Sequence, residues 1–220
     1  MDKEYWDSYY AARKAINYPS AFCEHCCDEW IAPKSRILEL GCGNGRDAFY
    51  FAENGHTVIG LDQSEVAISD NRRRTPEYNV DGRISFVTGD FTAPSPSTLR
   101  ASQPFDVVYS RFTLHSVTES EQASIIGWVY EYLPEDGAFL IECRTNRDPL
   151  FSKGKRVSDS EAITDHYRRF VDANALLRSL LDAGFKARFF IERNNLAVFG
   201  DEDPVVARYI LVKQTGHSAG

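Results

Sequence analysis

The chain has 220 residues and a formal net charge of −7, with 43% hydrophobic and 26% charged residues. This length suits one domain spanning residues 1–220, and the composition is typical of a folded core. No apolar run approaches the roughly 20 residues that a membrane-spanning helix needs, and residues 1–6 lack an apolar leader. We therefore expect a cytoplasmic protein without a membrane anchor. The acidic charge argues against nucleic acid as a partner.

A cysteine-rich cluster near the N-terminus contains Cys23, His25, Cys26 and Cys27. A structural zinc site needs a second pair of ligands, and the rest of the sequence supplies no CxxC or HxxxH pair. Ser20 can instead cap a helix in which Cys26 faces the core. No metal is expected.

Residues 1–33 are predicted to be helical, because Tyr5 and Tyr9, like Trp6 and Tyr10, are four residues apart. After this region, short apolar strands alternate with amphipathic helices. Such a pattern predicts an α/β fold: a Rossmann-like, doubly wound, mostly parallel sheet of seven strands, with helices on both faces and an antiparallel C-terminal hairpin. The predicted strands are residues 36–40, 57–61, 84–88, 105–109, 137–143, 185–192 and 205–213. Helix N-caps are predicted at Ser64, at Thr118 in a capping box with Glu121, and at Asp172.

A glycine-rich turn, Gly41-Cys42-Gly43-Asn44-Gly45, follows the first strand. Glycines there allow a sharp turn and let the backbone approach a ligand closely. A dinucleotide fingerprint would place a small residue at position 46, but Arg46 stands there, which argues against NAD or FAD. Asp62 ends the second strand, where a carboxylate can accept both hydroxyl hydrogens of a ribose.

These segments resemble a known family. Ile37 to Gly45 is similar to motif I of class I S-adenosylmethionine (SAM)-dependent methyltransferases of the small-molecule type, and Asp62 matches the acidic residue at the end of their second strand. Gly89-Asp90-Phe91 matches the step after their third strand, and residues 105–109 resemble their fourth. The likeness covers roughly residues 35–145 and the terminal hairpin.

The resemblance implies a cofactor, SAM, with S-adenosyl-L-homocysteine as its product. It places the glycine loop on the methionine part of SAM, the end of the second strand on ribose and adenine, and the step after the third strand on adenine. Asp47 could bind the SAM amino group, or could instead only complement the helix N-terminus. The cofactor-binding residues predicted in this way are Glu39, Gly41, Gly43, Asp47, Asp62, Gln63, Asp90, Phe91 and Ser110.

The acceptor site is expected after the fourth strand, at Ser110-Arg111-Phe112-Thr113-Leu114-His115. Family members that methylate exocyclic amino groups of DNA bases carry Asn/Asp-Pro-Pro-aromatic there, so this departure argues against such a substrate. His115 is the candidate catalytic base, since the pKa of a free histidine is about 6.5. The alternative is a histidine that only walls the pocket.

Residues 145–170 are predicted to form a long acceptor-side loop. From Arg144 to Arg169 there are seven Lys/Arg against four Asp/Glu, which would suit a phosphate or carboxylate; a solvated surface loop is the alternative. By family analogy residues 1–33 form a lid over SAM, unless they simply pack on the sheet. The predicted substrate-binding residues are Tyr10, Arg111, Arg144, His166, Tyr167 and Arg169.

The sequence thus predicts an enzyme that transfers a methyl group from SAM to a small polar or anionic metabolite. An RNA or protein methyltransferase is the first alternative, and a non-catalytic nucleoside-binding protein is the second. The acceptor atom and the oligomeric state stay open.

Overall fold

A computed structural model describes residues 3–12, 16–80, 82–94, 104–164 and 166–214. Within these ranges lie ten strands and six α-helices. The strands are β1 Arg36–Leu40, β2 Thr57–Asp62, β3 Ile84–Thr88, β4 Val107–Arg111, β5 Ala138–Arg144, β6 Lys155–Arg156, β7 Glu161–Ile163, β8 Tyr167–Arg169, β9 Phe185–Arg193 and β10 Val206–Lys213. The helices are α1 Lys3–Ala12, α2 Ala21–Glu29, α3 Arg46–Glu53, α4 Glu65–Arg74, α5 Glu119–Tyr132 and α6 Ala173–Asp182.

Seven strands form the central sheet in the order β3-β2-β1-β4-β5-β10-β9. Strands β1 to β5 are parallel, whereas β10 runs antiparallel to both β5 and β9. The predicted fold class is therefore confirmed, including the C-terminal hairpin. Because β1 lies between β2 and β4, the chain reverses its direction of winding there, and ligands bind at such a point beyond the carboxyl ends of the strands.

Helices cover both faces of the sheet, as predicted. On one face Leu38 of β1 belongs to a buried cluster with Ile125 of α5 and Leu176 of α6. On the other face Ile37 packs in a cluster that includes Phe51 of α3. Adjacent residues of one strand thus enter opposite cores, which is why these strands are continuously apolar.

The predicted helix caps are confirmed. The side chains of Ser20, Ser64 and Asp172 accept hydrogen bonds from backbone N–H groups three residues further on, and Thr118 forms the capping box with Glu121. Within the described ranges, no helix combines the length and apolar character needed to cross a membrane.

The cysteine cluster contributes to the core. Cys23 and Cys26 in α2 are fully buried, and burial raises the pKa of both thiols well above the ordinary value. Among the described residues there is no group of three or more His, Cys, Asp or Glu side chains placed to hold a metal ion.

Residues 145–170, predicted as a long acceptor-side loop, contain short regular elements. A short 3-10 helix at Pro149–Ser152 precedes a three-stranded antiparallel sheet, β6-β7-β8. This small sheet is joined to the end of β5 by a bridge between Thr145 and Val171 and by a hydrogen bond of 3.0 Å from Asn146 N to Val171 O. Strands of two or three residues are too short to leave an alternating pattern in the sequence.

A buried ion-pair network holds the ends of β4, β5 and β10 together. Glu142 is 1% exposed and accepts hydrogen bonds from Arg111 Nε at 2.8 Å and from Arg208 Nε at 2.7 Å. The Arg208 guanidinium lies 5.1 Å from the centre of the Phe22 ring, so the network also contacts α2.

This network predicts an unequal response to two neutralising substitutions. Glu142→Gln leaves two guanidinium groups without their shared carboxylate, so the free energy of unfolding should fall by about 3 kcal/mol. Asp159→Asn removes a surface ion pair with Arg156, whose side chain is 62% exposed, and should cost far less than Glu142→Gln. Urea unfolding of both variants measures the difference, and equal losses would contradict this role of Glu142.

Candidate functional site

The glycine loop after β1 leaves no room for side chains. Gly41 and Gly43 have φ values of +64° and +49°, in the left-handed region that favours glycine. A Cβ at Gly41 would collide with Thr113 Cγ2, and one at Gly43 would collide with the hydroxyl of Tyr10. The loop therefore needs glycine at both positions, and this glycine cradle lines a cavity.

Asp62 ties this loop to the end of β2. Its carboxylate accepts hydrogen bonds of 2.8 Å from Gly43 N and from Ser64 N. Burial raises the pKa of Asp62, and these backbone donors act in the opposite direction. The side chain is 6% exposed and lines a small pocket of 40 Å³ together with Gln63 and Phe91.

Asp90 and Ser110 have protein partners of their own. The exposed Asp90 carboxylate accepts bonds of 2.8 Å from Thr92 N and Thr92 Oγ1. Ser110 is fully buried and shares a short hydrogen bond with Thr113 Oγ1. Their predicted contacts with the cofactor stay predictions.

Glu39 carries a buried carboxylate at the cavity wall. It is 4% exposed, and its Oε2 has no hydrogen-bond partner among the described residues. Burial raises the pKa of Glu39 well above its ordinary value, and the nearby charges of Asp47 and Asp62 add to this effect. An unpaired carboxylate oxygen in this position is suited to a cationic group of a ligand.

Asp47 has a different set of neighbours from Glu39. Its carboxylate accepts hydrogen bonds from Ser20 N at 2.7 Å, Ser20 Oγ at 2.8 Å and Tyr109 Oη at 2.9 Å. The side chain thus anchors the start of α2 to α3 and β4. Asp47 also lines the cavity, and its binding of a cofactor amino group stays a prediction.

One cavity of 610 Å³ brings most of the predicted residues together. It begins at the glycine loop and extends past the ends of β4 and β5 to the loop between β9 and β10. The predicted residues that line it are Glu39, Gly41, Gly43, Asp47, Tyr10, Arg111, His115, Arg144 and His166.

Helix α1 lies across this cavity. Its Asp7 accepts a hydrogen bond of 2.6 Å from Ser64 Oγ at the start of α4. At the other side, the rings of Tyr5 and Trp6 contact His166, with centroid distances of 4.4 and 5.2 Å. The placement of α1 agrees with the expected lid over the cofactor. The opening and closing of such a lid stays a prediction.

Two arginines and a phenylalanine shape the far side of the cavity. The Arg111 and Arg144 guanidinium carbons lie 4.3 and 5.6 Å from the centre of the Phe112 ring. Phe112 has a φ of +56°, which is strained for a bulky residue, and such strain is concentrated at functional sites. Phe112 lies in the expected acceptor segment, but its strained conformation was not predicted, because nothing in a sequence reports a positive φ at an aromatic residue.

His115 is 6% exposed, and its Nδ1 has no hydrogen-bond partner among the described residues. Burial lowers the pKa of His115 well below 6.5, and the nearby charges of Arg168, Arg144, His166 and Arg111 lower it further. The imidazole is therefore neutral at pH 7 and able to accept a proton.

Sequence reasoning also missed parts of the cavity wall. Arg168 lines it, and Arg168 Nη1 donates to Thr164 Oγ1 at 2.9 Å. The loop between β9 and β10 contributes Val198 and Phe199, which are 59% and 51% exposed. The excess of Lys and Arg around Arg168 indicated this segment in the sequence. The loop between β9 and β10 gave no sequence signal, because it is far from β1 along the chain.

Two predicted substrate-binding residues do not reach this cavity. Tyr167 lines a neighbouring pocket of 300 Å³ and donates a hydrogen bond to Glu161, and burial raises its pKa. Arg169 is 6% exposed and is bound to carbonyl oxygens beneath the His115 turn, so the structure corrects its assignment. Asp165, which was part of the charge count, lies outside the described residues.

A family model described as "Methyltransferase domain" matches residues 31–179, which include the glycine loop and the His115 turn. The chain belongs to this family. An uncharacterized methyltransferase of Synechocystis sp. is 28% identical over 183 residues, covering 81% of this chain and 77% of that protein. An mRNA cap guanine-N(7) methyltransferase of Eremothecium gossypii is 33% identical over 129 residues, covering 54% of this chain and only 30% of that protein.

The fold has relatives among solved structures. A SAM-dependent methyltransferase from Methanosarcina mazei superposes with a TM-score of 0.73 at 18% identity, over 85% of this chain and 96% of that one. The resemblance that motif I indicates is thereby confirmed: the protein is a SAM-dependent methyltransferase, and its cofactor is SAM.

The residues present fit this cofactor. SAM carries an ammonium and a sulfonium charge, and Glu39, whose Oε2 has no hydrogen-bond partner among the described residues, lines the same cavity as the glycine cradle. We expect Glu39 and the glycine loop to hold the methionine part. Asp62, Gln63 and Phe91 would hold the adenosine, because they share the adjoining pocket.

Gly43→Ala tests the cradle. The added methyl group would collide with Tyr10 and strain the loop, so the Kd for SAM should rise about tenfold or more. Gly55→Ala is the matched control, because Gly55 also has a positive φ but a Cβ there meets nothing within 4 Å. Calorimetric titration with SAM measures both variants. An unchanged affinity in Gly43→Ala would exclude a close approach of SAM to this loop.

Proposed function

We propose that this enzyme methylates a small anionic metabolite, with His115 as the proton acceptor. One observation carries the proposal: Arg111, Arg144 and Arg168 line the same cavity as His115 and the glycine loop. The chain as a whole is acidic, with a net charge of −7, so positive charge at this place is a local feature. Guanidinium groups bind carboxylates and phosphates through paired hydrogen bonds.

Two of the three arginines are held in place by protein carboxylates. Arg111 Nε binds Glu142, and Arg144 binds Asp148 at 2.9 Å and Glu202 at 2.6 Å. A guanidinium has five donors in a fixed fork, so one edge can bind a protein carboxylate while other donors bind a ligand. The acceptor site is thus preorganised, which lowers the entropic cost of binding an anion.

Methyl transfer from SAM depends more on the alignment of the two reactants than on activation of the methyl donor. SAM would supply a methyl group bound to a positively charged sulfur, and the bond electrons return to that sulfur, which leaves as the neutral thioether S-adenosyl-L-homocysteine. The cavity walls and α1 exclude water and align the acceptor oxygen or nitrogen for in-line attack. As the new bond to the methyl group forms, the His115 imidazole takes the proton that the acceptor loses.

An anionic acceptor also makes His115 a better base. In the free enzyme three arginines oppose a positive charge on the imidazole. A bound anion offsets their charge, so it favours protonation of His115 at the moment when the proton must be accepted. An uncharged acceptor would leave this repulsion in place.

RNA or protein acceptors remain the alternative, since a relative named above acts on an mRNA cap. A screen with SAM carrying a labelled methyl group identifies the acceptor class. We expect label in carboxylate or phosphate metabolites and none in capped RNA or protein. Transfer to RNA with a steep dependence on salt would overturn the proposal.

Arg144→Gln tests anion binding. Loss of charge-assisted hydrogen bonds worth about 1.5–3 kcal/mol should raise the KM for the acceptor roughly 10- to 100-fold. The Kd for SAM should stay within about twofold of wild type. Arg147→Gln is the matched control, because the Arg147 side chain is 71% exposed and pairs with Glu192 away from the cavity. Equal effects of the two substitutions would remove Arg144 from the acceptor site.

The proposal also predicts the pH dependence of the reaction. Only neutral His115 accepts a proton, so activity is lost as the pH falls through its pKa. Since that pKa is lowered from 6.5 in the free protein, the acid limb of kcat/KM should lie below pH 6.5. The limb of kcat should lie at higher pH, because the bound anion raises the pKa. Initial rates against pH measure both limbs, and a limb that persists in His115→Gln would assign the titration to another group.

A further inference from the structure

Arg169 binds the backbone on both sides of His115. Its Nε donates to Val117 O at 2.9 Å, and its Nη2 donates to Leu114 O at 3.3 Å. The same Nη2 donates to Gln122 Oε1 at 2.6 Å, which connects the guanidinium to α5. A single side chain thus joins β8, the His115 turn and the first helix after it.

The His115 turn has little support of its own. It is one turn of 3-10 helix, Leu114–Ser116, with a hydrogen bond of 3.0 Å from Ser116 N to Thr113 O. Such short turns have poorer hydrogen-bond geometry than α-helices. Its carbonyl groups at Leu114 and Val117 need donors from elsewhere, and Arg169 supplies them.

Burial of the Arg169 guanidinium would destabilise the fold without benefit if this residue only filled space. Arg169 is 6% exposed, and the three acceptors are uncharged carbonyl and amide oxygens. Burial lowers the pKa of Arg169, which reflects the cost of desolvating its charge. An apolar side chain would fill the same volume without that cost, but would leave the carbonyls without these donors.

We infer that Arg169 is a positioning residue: through the carbonyl groups of Leu114 and Val117 it sets the place of His115 in the cavity. The small sheet β6-β7-β8 holds Arg169 there, since it is fastened to the end of β5. This inference rests on the proposed role of His115 as the proton acceptor. A displacement of about 1 Å at a reacting group can cost up to 100-fold in rate.

A double-mutant cycle tests the inference with the acceptor that the labelled-SAM screen identifies. Arg169→Lys keeps the charge but cannot reach both carbonyls, and should lower kcat about tenfold with the Kd for SAM unchanged. His115→Gln should lower kcat about 100-fold. The combined variant should be no slower than His115→Gln, because Arg169 acts through His115. A further tenfold loss in the combined variant would overturn the inference.

A second readout does not need the acceptor. In protein labelled with 15N-histidine, the His115 ring signal, assigned from its loss in His115→Gln, should titrate closer to pH 6.5 in Arg169→Lys than in wild type. A loosened turn exposes the ring to water, which raises its lowered pKa. An unchanged titration would overturn the inference. If His115→Gln is fully active while this signal moves, then the proposed base has failed and the positioning contact stands.

Two further variants keep the test decisive if Arg169→Lys does not fold. Gln122→Leu removes one acceptor of Arg169 without changing its charge, and should lower kcat and shift the His115 titration in the same direction, to a smaller extent. Arg188→Lys makes the same substitution at an exposed position in β9 and should match wild type in both measurements. If Gln122→Leu and Arg188→Lys are alike, then Arg169 does not position His115.

Discussion

The turn from β1 into α3 is the constraint on which the rest of the site depends. The chain must reverse there with positive φ values, and Asp62 holds it by accepting a hydrogen bond from Gly43 N. Because β1 lies at the centre of the sheet, this turn opens a crevice towards β4. Every other element of the site, including α1 and the His115 turn, is placed around that crevice.

Charge is distributed along the cavity in two regions. The end near the glycine loop carries Glu39 and Asp47 beside Arg46, and the far end carries Arg111, Arg144 and Arg168 beside Glu202. Buried charges of one sign would be costly alone, and Glu142 offsets part of that cost by pairing with Arg111. The resulting field suits the cationic methyl donor at one end and the proposed anionic acceptor at the other.

Much of the fold could be predicted from local sequence. Strands, caps and the glycine loop depend on contacts between near neighbours, so Ser64, Thr118 and Asp172 could be assigned as caps without a structure. The small sheet β6-β7-β8 could not be predicted, because its strands are too short to show an alternating hydrophobic pattern. Arg169 and His166 illustrate the limit: they belong to one basic segment, yet one is bound to buried carbonyls and the other lines the cavity.

The sequence by itself determined the fold class and the family, and it predicted the position of the donor site, since these follow from periodicity and from a motif within one turn. Only the tertiary structure decided which charged side chains share the cavity. Burial, partners and the neutrality of His115 depend on residues far apart in the chain, such as Arg168 and Arg111. Long-range packing sets these properties, and no local pattern of residue types encodes it.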